Sequence, residues 1–310
     1  MTRYVLVVTH TGREDALLAS QEVCAQLVAA GVTPVMTGEE LADTKAFSAT
    51  HVAPNAVVEK VVELGKDAQL KDLEVVMVLG GDGTILKAAE VVRDSATPLL
   101  GINLGHVGFL AESERDGLSE AVHRVVERDY LVKERLALDV RVFVKGEQVF
   151  HTWALNEATV EKSARERMLE VVVEIDKRPL SSFGCDGIVM ATPTGSTAYS
   201  FSAGGPIVWP SVDALIMVPL SAHALFARPL VINPNSLLAV EVMQRSAGSG
   251  VLWCDGRRSF EMPPGARVEV RRSEIPVRLA RFRQGPFTDR LVRKFSLPVS
   301  GWRGPDNVAQ

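Results

Sequence analysis

No stretch limits the fold of this chain more than residues 75–86, Val-Val-Met-Val-Leu-Gly-Gly-Asp-Gly-Thr-Ile-Leu. An apolar, β-branched run stops at Gly80-Gly81-Asp82-Gly83-Thr84. A helical spacing follows, with Ile85, Ala88, Ala89 and Val92 on one face. This is a buried strand, a glycine turn and a helix start. The first backbone N–H groups of a helix have no partner inside it and attract anions. Glycines let such a turn take φ > 0 and let a phosphate come close to the backbone. Asp82 is out of character there, because a carboxylate repels phosphate. It has a use if it takes a proton from an attacking hydroxyl or holds a divalent cation. The plainer reading is a tight turn with Asp82 as a helix cap.

Strand and helix patterns alternate around this stretch. Residues 4–9 read as a first buried strand, 14–30 as a helix stopped by Gly31, and 32–36 as a second strand. Between 45 and 70, Val57, Val58, Val61, Val62 and Leu64 suggest a helix. Strand 75–79, helix 84–93, strand 98–102 and helix 112–127 follow. Such alternation predicts βαβ crossovers and a parallel sheet covered on both faces, a Rossmann-like α/β domain over 1–134. Ligands of these sheets sit beyond the carboxyl ends of the strands, where Gly80–Thr84 and a second glycine turn, Asn103-Leu-Gly-His-Val-Gly-Phe-Leu110, both fall. In that second turn the glycines would shape a site wall, with Phe109 and Leu110 anchored in the core.

The pattern changes near 130–135. Leu138, Val140, Val142 and Val144 alternate up to a turn at Lys145-Gly146, and strands are expected at 149–154, 169–175, 187–192, 230–232, 237–243, 251–254 and 267–271. This predicts an all-β sandwich over 135–284. A helical spacing returns at 287–297, through Leu291, Val292 and Phe295, and a tail over 285–310 is expected to rejoin the first domain.

Charge and composition exclude several classes. A net charge of −4 argues against a dedicated nucleic-acid binder. No apolar run reaches the roughly 18 residues of a membrane span. The N-terminus runs straight into a strand, so no signal peptide is expected. Three scattered cysteines, Cys24, Cys185 and Cys254, fit reduced thiols in a cytoplasmic protein. Neither G-x-G-x-x-G after a strand nor G-x-x-x-x-G-K-[ST] occurs, so nucleotide chemistry here would use another loop.

The β region carries its own polar cluster. Gly184-Cys-Asp-Gly187 leads into a strand that Pro193 ends. Gly195 permits a sharp turn at φ > 0, and Ser196, Thr197, Ser200 and Ser202 crowd hydroxyls beside the flat face of Tyr199. A slot for a purine ring fits this better than a plain Ser/Thr-rich turn. Upstream, Asn156-Glu157 offers an amide beside a carboxylate, able to read hydroxyls and amides; alone it reads as an exposed strand position.

Taken in order, Leu79-Gly-Gly-Asp-Gly-Thr84, Asn103-Leu-Gly-His-Val-Gly-Phe-Leu110, Asn156-Glu157, Gly184-Cys-Asp-Gly187 and Thr192-Pro-Thr-Gly-Ser-Thr-Ala-Tyr199 resemble the bacterial NAD kinases, and the closing Gly301-Trp302 resembles the actinobacterial members. The resemblance spans nearly the whole chain. Gly-Gly-Asp-Gly-Thr is shared with diacylglycerol kinases and phosphofructokinases; the Thr192–Tyr199 stretch is specific. It implies phosphoryl transfer from ATP, or in some members polyphosphate, to the adenosine 2′-hydroxyl of NAD. It implies Asp82 as catalytic base, Gly83 beside the substrate and Lys87 as a phosphate contact. Asn156, Glu157 and Asp186 would bind NAD, with Thr197, Ala198, Tyr199, Ser200, Phe201 and Ser202 lining the adenosine pocket. Arg167 would contact a phosphate, and His223 is either a ligand contact or a structural histidine. A homodimer or homotetramer is implied, built through the β domain. No all-protein metal cage is visible, as expected when Mg²⁺ is held mainly by phosphates.

Two alternatives remain at this level: a lipid or sugar kinase sharing the glycine motif, and a non-catalytic NAD sensor. The hydroxyl-rich pocket disfavours the first, and Asp82 the second. The run of Arg271, Arg272, Arg278, Arg281, Arg283, Arg290, Arg293 and Lys294 reads as a solvated face with some intersubunit pairs rather than a nucleic-acid surface.

Overall fold

A computed structural model describes residues 2–51, 57–105, 108–165, 167–282 and 286–299. His106, Val107, Arg283, Gly301 and Trp302, named above, lie outside the described residues. The chain begins β1 (Tyr4–Thr9), α1 (Glu14–Ala29), β2 (Thr33–Met36), α2 (Gly38–His51), β3 (Val62–Glu63), β4 (Leu73–Leu79), α3 (Asp82–Val91), β5 (Leu99–Asn103), β6 (Ser113–Glu114), α4 (Leu118–Glu127) and β7 (Leu131–Arg135). It continues through β8 (Leu138–Val144), β9 (Glu147–Ala154), β10 (Glu157–Lys162), β11 (Leu169–Ile175), β12 (Arg178–Cys185), β13 (Gly187–Ala191), a short helix α5 (Tyr199–Ser202), β14 (Leu215–Leu220), β15 (Leu230–Ile232), β16 (Leu238–Val242), β17 (Gly250–Cys254), β18 (Arg258–Met262) and β19 (Ala266–Arg272). It closes with β20 (Val277–Arg281) and α6 (Phe287–Phe295). Two compact units result, one of Met1–Glu134 with the chain from Arg278 onward, the other of Arg135–Val277.

The first unit is built on a sheet in the order β3-β2-β1-β4-β5-β20-β7, with β6 beside β5. The β1–β2, β1–β4, β2–β3, β4–β5, β5–β6 and β5–β20 pairs run parallel. Strand β4 lies inside the sheet, and Val75 to Leu79 are fully buried. That explains its unbroken apolar run: both faces are covered. Strand order reverses between β1 and β4, one crossover leading to β2 and the other to β5. Such a reversal leaves a crevice at the strands' carboxyl ends.

Three local expectations change. Valines 57–62 form no helix; Val58–Lys60 is a 3₁₀ turn, and Val62–Glu63 becomes strand β3 beside β2. A run of β-branched residues gains more from a sheet edge than from a helix. Helix α2 was not anticipated, because its buried stripe is Glu40, Leu41, Thr44 and Ser48, mostly polar and invisible to apolar periodicity. The helix expected over 112–127 begins only at Leu118, since Ser113–Glu114 pairs with β5 first.

The chain re-enters the first unit at β20, ahead of the helical tail, through pairing of Leu279 with Leu99. Helix α6 is held by Arg290, which donates to Phe109 O at 2.8 Å and Ala111 O at 3.1 Å and pairs with Glu112 at 2.8 Å. Arg281 meets the same carboxylate at 2.9 Å. These two arginines of the basic run, Arg281 buried and Arg290 half-buried, are partners within the unit rather than a solvated face. Phe109 packs against Phe287 and Phe295, each ring 5.9 Å away.

The second unit is a sandwich of two six-stranded sheets, β15-β14-β13-β10-β17-β18 and β12-β11-β16-β19-β8-β9. Every neighbouring pair is antiparallel. One core joins the inner faces, including Val140, Val142, Val171, Val240 and Val268 from one sheet and Val160, Ile188, Met190 and Leu252 from the other. Two-residue turns at Lys145-Gly146 and Asp176-Lys177, and a three-residue turn at Asp255-Gly256-Arg257 whose first two residues are likewise at positive φ, close three hairpins with the twist strands prefer. Strand β13 is buried on both faces: Val189 and Ala191 point away from the main core and pack with Val208, Ile216 and Val218. The segment after β13 therefore lies over the outer face of its sheet. Strands β10, β12, β14 and β18 escaped the sequence pattern, β14 because Pro219 interrupts it and the other three because polar residues break their apolar alternation.

Candidate active site

In the first unit the glycine turn sits at the carboxyl end of β4, as the crevice rule requires. Gly81 is the cap of α3 and Asp82 its first helical residue, so Asp82 is not the cap. Its side chain reaches the neighbouring loop instead. Oδ2 accepts Phe109 N–H and Oδ1 accepts Leu110 N–H, each at 3.1 Å. A Cβ added to Gly108 would land on the Asp82 carboxylate, so that glycine is required by close approach. The two glycine motifs are thus one construction, tied at Asp82. Gly80 has φ +155° and leaves room only for Thr84, while Gly83 faces open space.

Lys87, expected at a phosphate, places Nζ 3.0 Å from Glu40 Oε1. Glu40 is fully buried, and its Oε2 has no hydrogen-bond partner among the described residues. Burial pushes the Glu40 carboxyl up, and Lys87 pulls it back. An ammonium has three donors, so Lys87 can serve Glu40 and still offer hydrogens to an anion. Sequence reasoning missed Glu40; an acid one residue before the buried Leu41 was the available signal.

In the second unit, Asn156 and Glu157 are both buried, which overturns the exposed-strand reading of the pair. They stand where the chain leaves β9 in one sheet and enters β10 in the other. Thr192 fixes the carbonyl side of this corner: its hydroxyl donates to Leu155 O at 2.6 Å and its N–H to Asn156 O at 2.9 Å. Gly195 does not take φ > 0 as expected. A Cβ there would collide with the Asn156 carbonyl, so contact rather than backbone angle demands glycine. Burial, followed by the charge of Asp255, raises the Glu157 carboxyl to about 8, against the Tyr199 N–H. Glu157 Oε2 and Ser200 Oγ are buried polar atoms with no hydrogen-bond partner among the described residues. Such atoms are costly in a protein interior unless something else satisfies them.

The hydroxyl cluster divides on inspection. Ser196 is structural, donating to Pro193 O at 2.7 Å and accepting Val208 N–H at 3.0 Å. Thr197 and Ala198 are half-buried, Tyr199 presents a partly exposed ring, and Phe201 and Ser202 are exposed. Asp186 pairs with Lys162 at 2.6 Å, and that contact, with the Ser221 hydroxyl, holds its carboxyl below the usual range. Arg167 and His223 line one cavity of about 450 Å³ with Met168, Glu170, Gly184 and Ala247. His223 is tied in by its N–H to Gly184 O at 2.8 Å. All three cysteines are buried free thiols, each raised by burial to about 12. Among the described residues no group of three or more His, Cys, Asp or Glu is placed to hold a metal ion, and no helix is long and apolar enough to cross a membrane.

Comparison with known proteins covers both units. The ATP-NAD kinase N-terminal domain matches residues 5–130 and the ATP-NAD kinase C-terminal domain residues 155–282. An NAD kinase of Leifsonia xyli subsp. xyli is 64% identical over 304 residues, 98% of either chain. One of Thermobifida fusca is 59% identical, over 97% of this chain and 92% of its own. Among solved structures, yeast NADH kinase complexed with NADH gives a TM-score of 0.86 at 21% identity, covering 97% of this chain and 89% of its own. An Archaeoglobus fulgidus NAD kinase in complex with ATP gives 0.68 at 22% identity, covering 96% of this chain and 100% of its own. At such identities the structures speak for the shared fold, while the close actinobacterial relatives speak for descent. The chain belongs to the NAD kinase family.

Proposed function

We infer that this enzyme phosphorylates NAD to NADP with ATP as donor, the phosphoryl group going to the adenosine 2′-hydroxyl and Asp82 acting as general base. The observation that carries the reading is Asp82 itself, a carboxylate fixed by two loop amides at the first turn of α3. Unpaired N–H groups of that turn suit phosphate oxygens, and Lys87 adds a cation one further turn along. As the 2′-oxygen bonds to the γ-phosphorus, its proton passes to Asp82. The bond from that phosphorus to the bridging oxygen breaks, and the electron pair leaves on ADP. Asn156 and Glu157 would read the NAD nucleoside with Thr197, Ala198, Tyr199, Ser200, Phe201 and Ser202, and the unsatisfied Glu157 Oε2 and Ser200 Oγ await such polar partners. Asp186, Gly83 and Arg167 complete the proposed contacts. A divalent cation, Mg²⁺, would accompany the donor phosphates and neutralise their charge.

Asp82→Asn keeps the shape and loses the proton affinity. Its kcat should fall about 10²–10⁴-fold while NAD still binds. NAD lacking the 2′-hydroxyl should compete without accepting phosphate. Near-normal turnover by Asp82→Asn would end the assignment. The same assay with inorganic polyphosphate tests it as a second donor. We place the enzyme in the cytoplasm, with its buried thiols reduced, and as a homo-oligomer through the second unit, whose Leu225, Phe226 and Val231 are exposed. A sedimentation mass near 33.6 kDa at micromolar concentration would refute the oligomer.

A further inference from the structure

We propose that Asp255 is a positioning residue for the NAD-binding pair Asn156-Glu157, its carboxylate gathering the backbone N–H groups of the corner that carries both side chains. The proposal rests on the reading that this pair binds NAD. Asp255 Oδ1 accepts Asn156 N–H at 2.7 Å, Leu155 N–H at 3.1 Å and Glu157 N–H at 3.3 Å. Oδ2 accepts Leu155 N–H at 2.9 Å and Arg258 Nη2 at 2.8 Å. At this crossover between sheets the ladders supply no acceptor, and three successive donors converge as they would on a bound anion. Here the anion is a side chain of the chain itself.

The hairpin turn does not explain the charge. The turn from β17 to β18 is Asp255-Gly256-Arg257, with Asp255 and Gly256 at φ of 53° and 64°, angles that Asn-Gly would adopt equally well. The Asp255 side chain is only 1% exposed. A buried carboxylate is unfavourable unless its oxygens are satisfied. Leu155, Asn156, Glu157 and Arg258 satisfy them, and the Arg258 guanidinium lies 4.5 Å over the Trp153 ring, in the strand leading to the corner. Thr192 holds the opposite, carbonyl side. The corner's backbone is thereby secured on both sides, leaving the Asn156 and Glu157 side chains to meet a ligand. The Asp255 charge also favours the neutral form of Glu157. The other groups bearing on Glu157 are the Tyr199 N–H and phenol at the start of α5 and, in β17, the Cys254 thiol.

The test compares Asp255→Asn, Asn156→Ala and Glu157→Gln in the full-length enzyme. Asp255→Asn should raise the NAD KM about 10- to 100-fold while kcat and the ATP KM stay near wild type. The pH at which kcat/KM for NAD inflects should move down, because Glu157 loses a negative neighbour. A role confined to stability would lower Tm and leave the inflection in place. If Asn156→Ala and Glu157→Gln leave the NAD KM unchanged, the pocket reading fails. If they raise it and folded Asp255→Asn does not, the positioning role fails. Should Asp255→Asn not fold, Arg258→Lys keeps the charge and loses the stacked fork. It should raise the NAD KM with the ATP KM unmoved, and an unchanged NAD KM there overturns the proposal.

Discussion

Glu157 holds its proton far above the usual carboxylate range. Its carboxyl, near 4.5 in an unfolded chain, is raised to about 8 by burial and then by Asp255. Between those values the native chain keeps a proton that the unfolded chain releases. The stabilisation is complete below about pH 4.5 and is lost as pH rises through 8, with a slope of up to about 1.4 kcal/mol per pH unit. Tm should therefore fall from pH 5 to pH 8. Glu157→Gln, permanently neutral, should flatten that decline; parallel Tm curves for the two proteins would show that Glu157 is charged throughout. At this scale the residue pattern marked Asp82, a carboxylate in a turn otherwise suited to phosphate, whereas Lys87, Asn156 and Glu157 were marked through the family resemblance. It missed Glu40, whose one signal, an acid before Leu41, lay in a polar-looking helix, and it could not mark Asp255, whose Asp-Gly pair reads fully as a turn. Gly195 was singled out for the wrong reason: a backbone angle can be inferred from neighbours in sequence, but a collision with Asn156 cannot.

Helix α6 acts on the site at one remove. Arg290 takes the Phe109 and Ala111 carbonyls, and the N–H groups of Phe109 and Leu110 hold Asp82. The loop is thus clamped between the helix and the carboxylate it orients. Arg290→Met should release the loop, lowering kcat about 10- to 100-fold with the NAD KM little changed. Hydrogen exchange at the Phe109 and Leu110 amides should accelerate in parallel. Wild-type exchange at those amides together with wild-type kcat would remove α6 from catalysis. The helix itself was legible from Leu291, Val292 and Phe295, and β4 from its apolar run. What it grips was not, since pairing of Arg290 with Glu112 depends on tertiary contact. Strand β3 and the late start of α4 escaped for the same reason: short strands form because an edge is available, not because their sequence demands it.

For the whole molecule, two fold classes were readable because hydrophobic spacing changes from the helical period to strict alternation near residue 135. The sheet order was not, because β20 lies far along the chain from the strands it joins. That placement fixes an order of events during synthesis. Strand β20 lies between β5 and β7, so β7 has no place in the sheet until β20 arrives. Both earlier strands emerge from the ribosome well before it. The second unit is continuous, from Arg135 to Val277, and can close both its sheets as soon as it is made. The unit encoded first should therefore be completed last. A chain ending at Val277 should show protected amides in β8–β19 and unprotected ones in β7, and protection of β7 would refute the order. Until β20 arrives, β5 has no partner beside Leu99 on the side away from β4, a stretch of unpaired strand edge of the kind on which nascent chains aggregate.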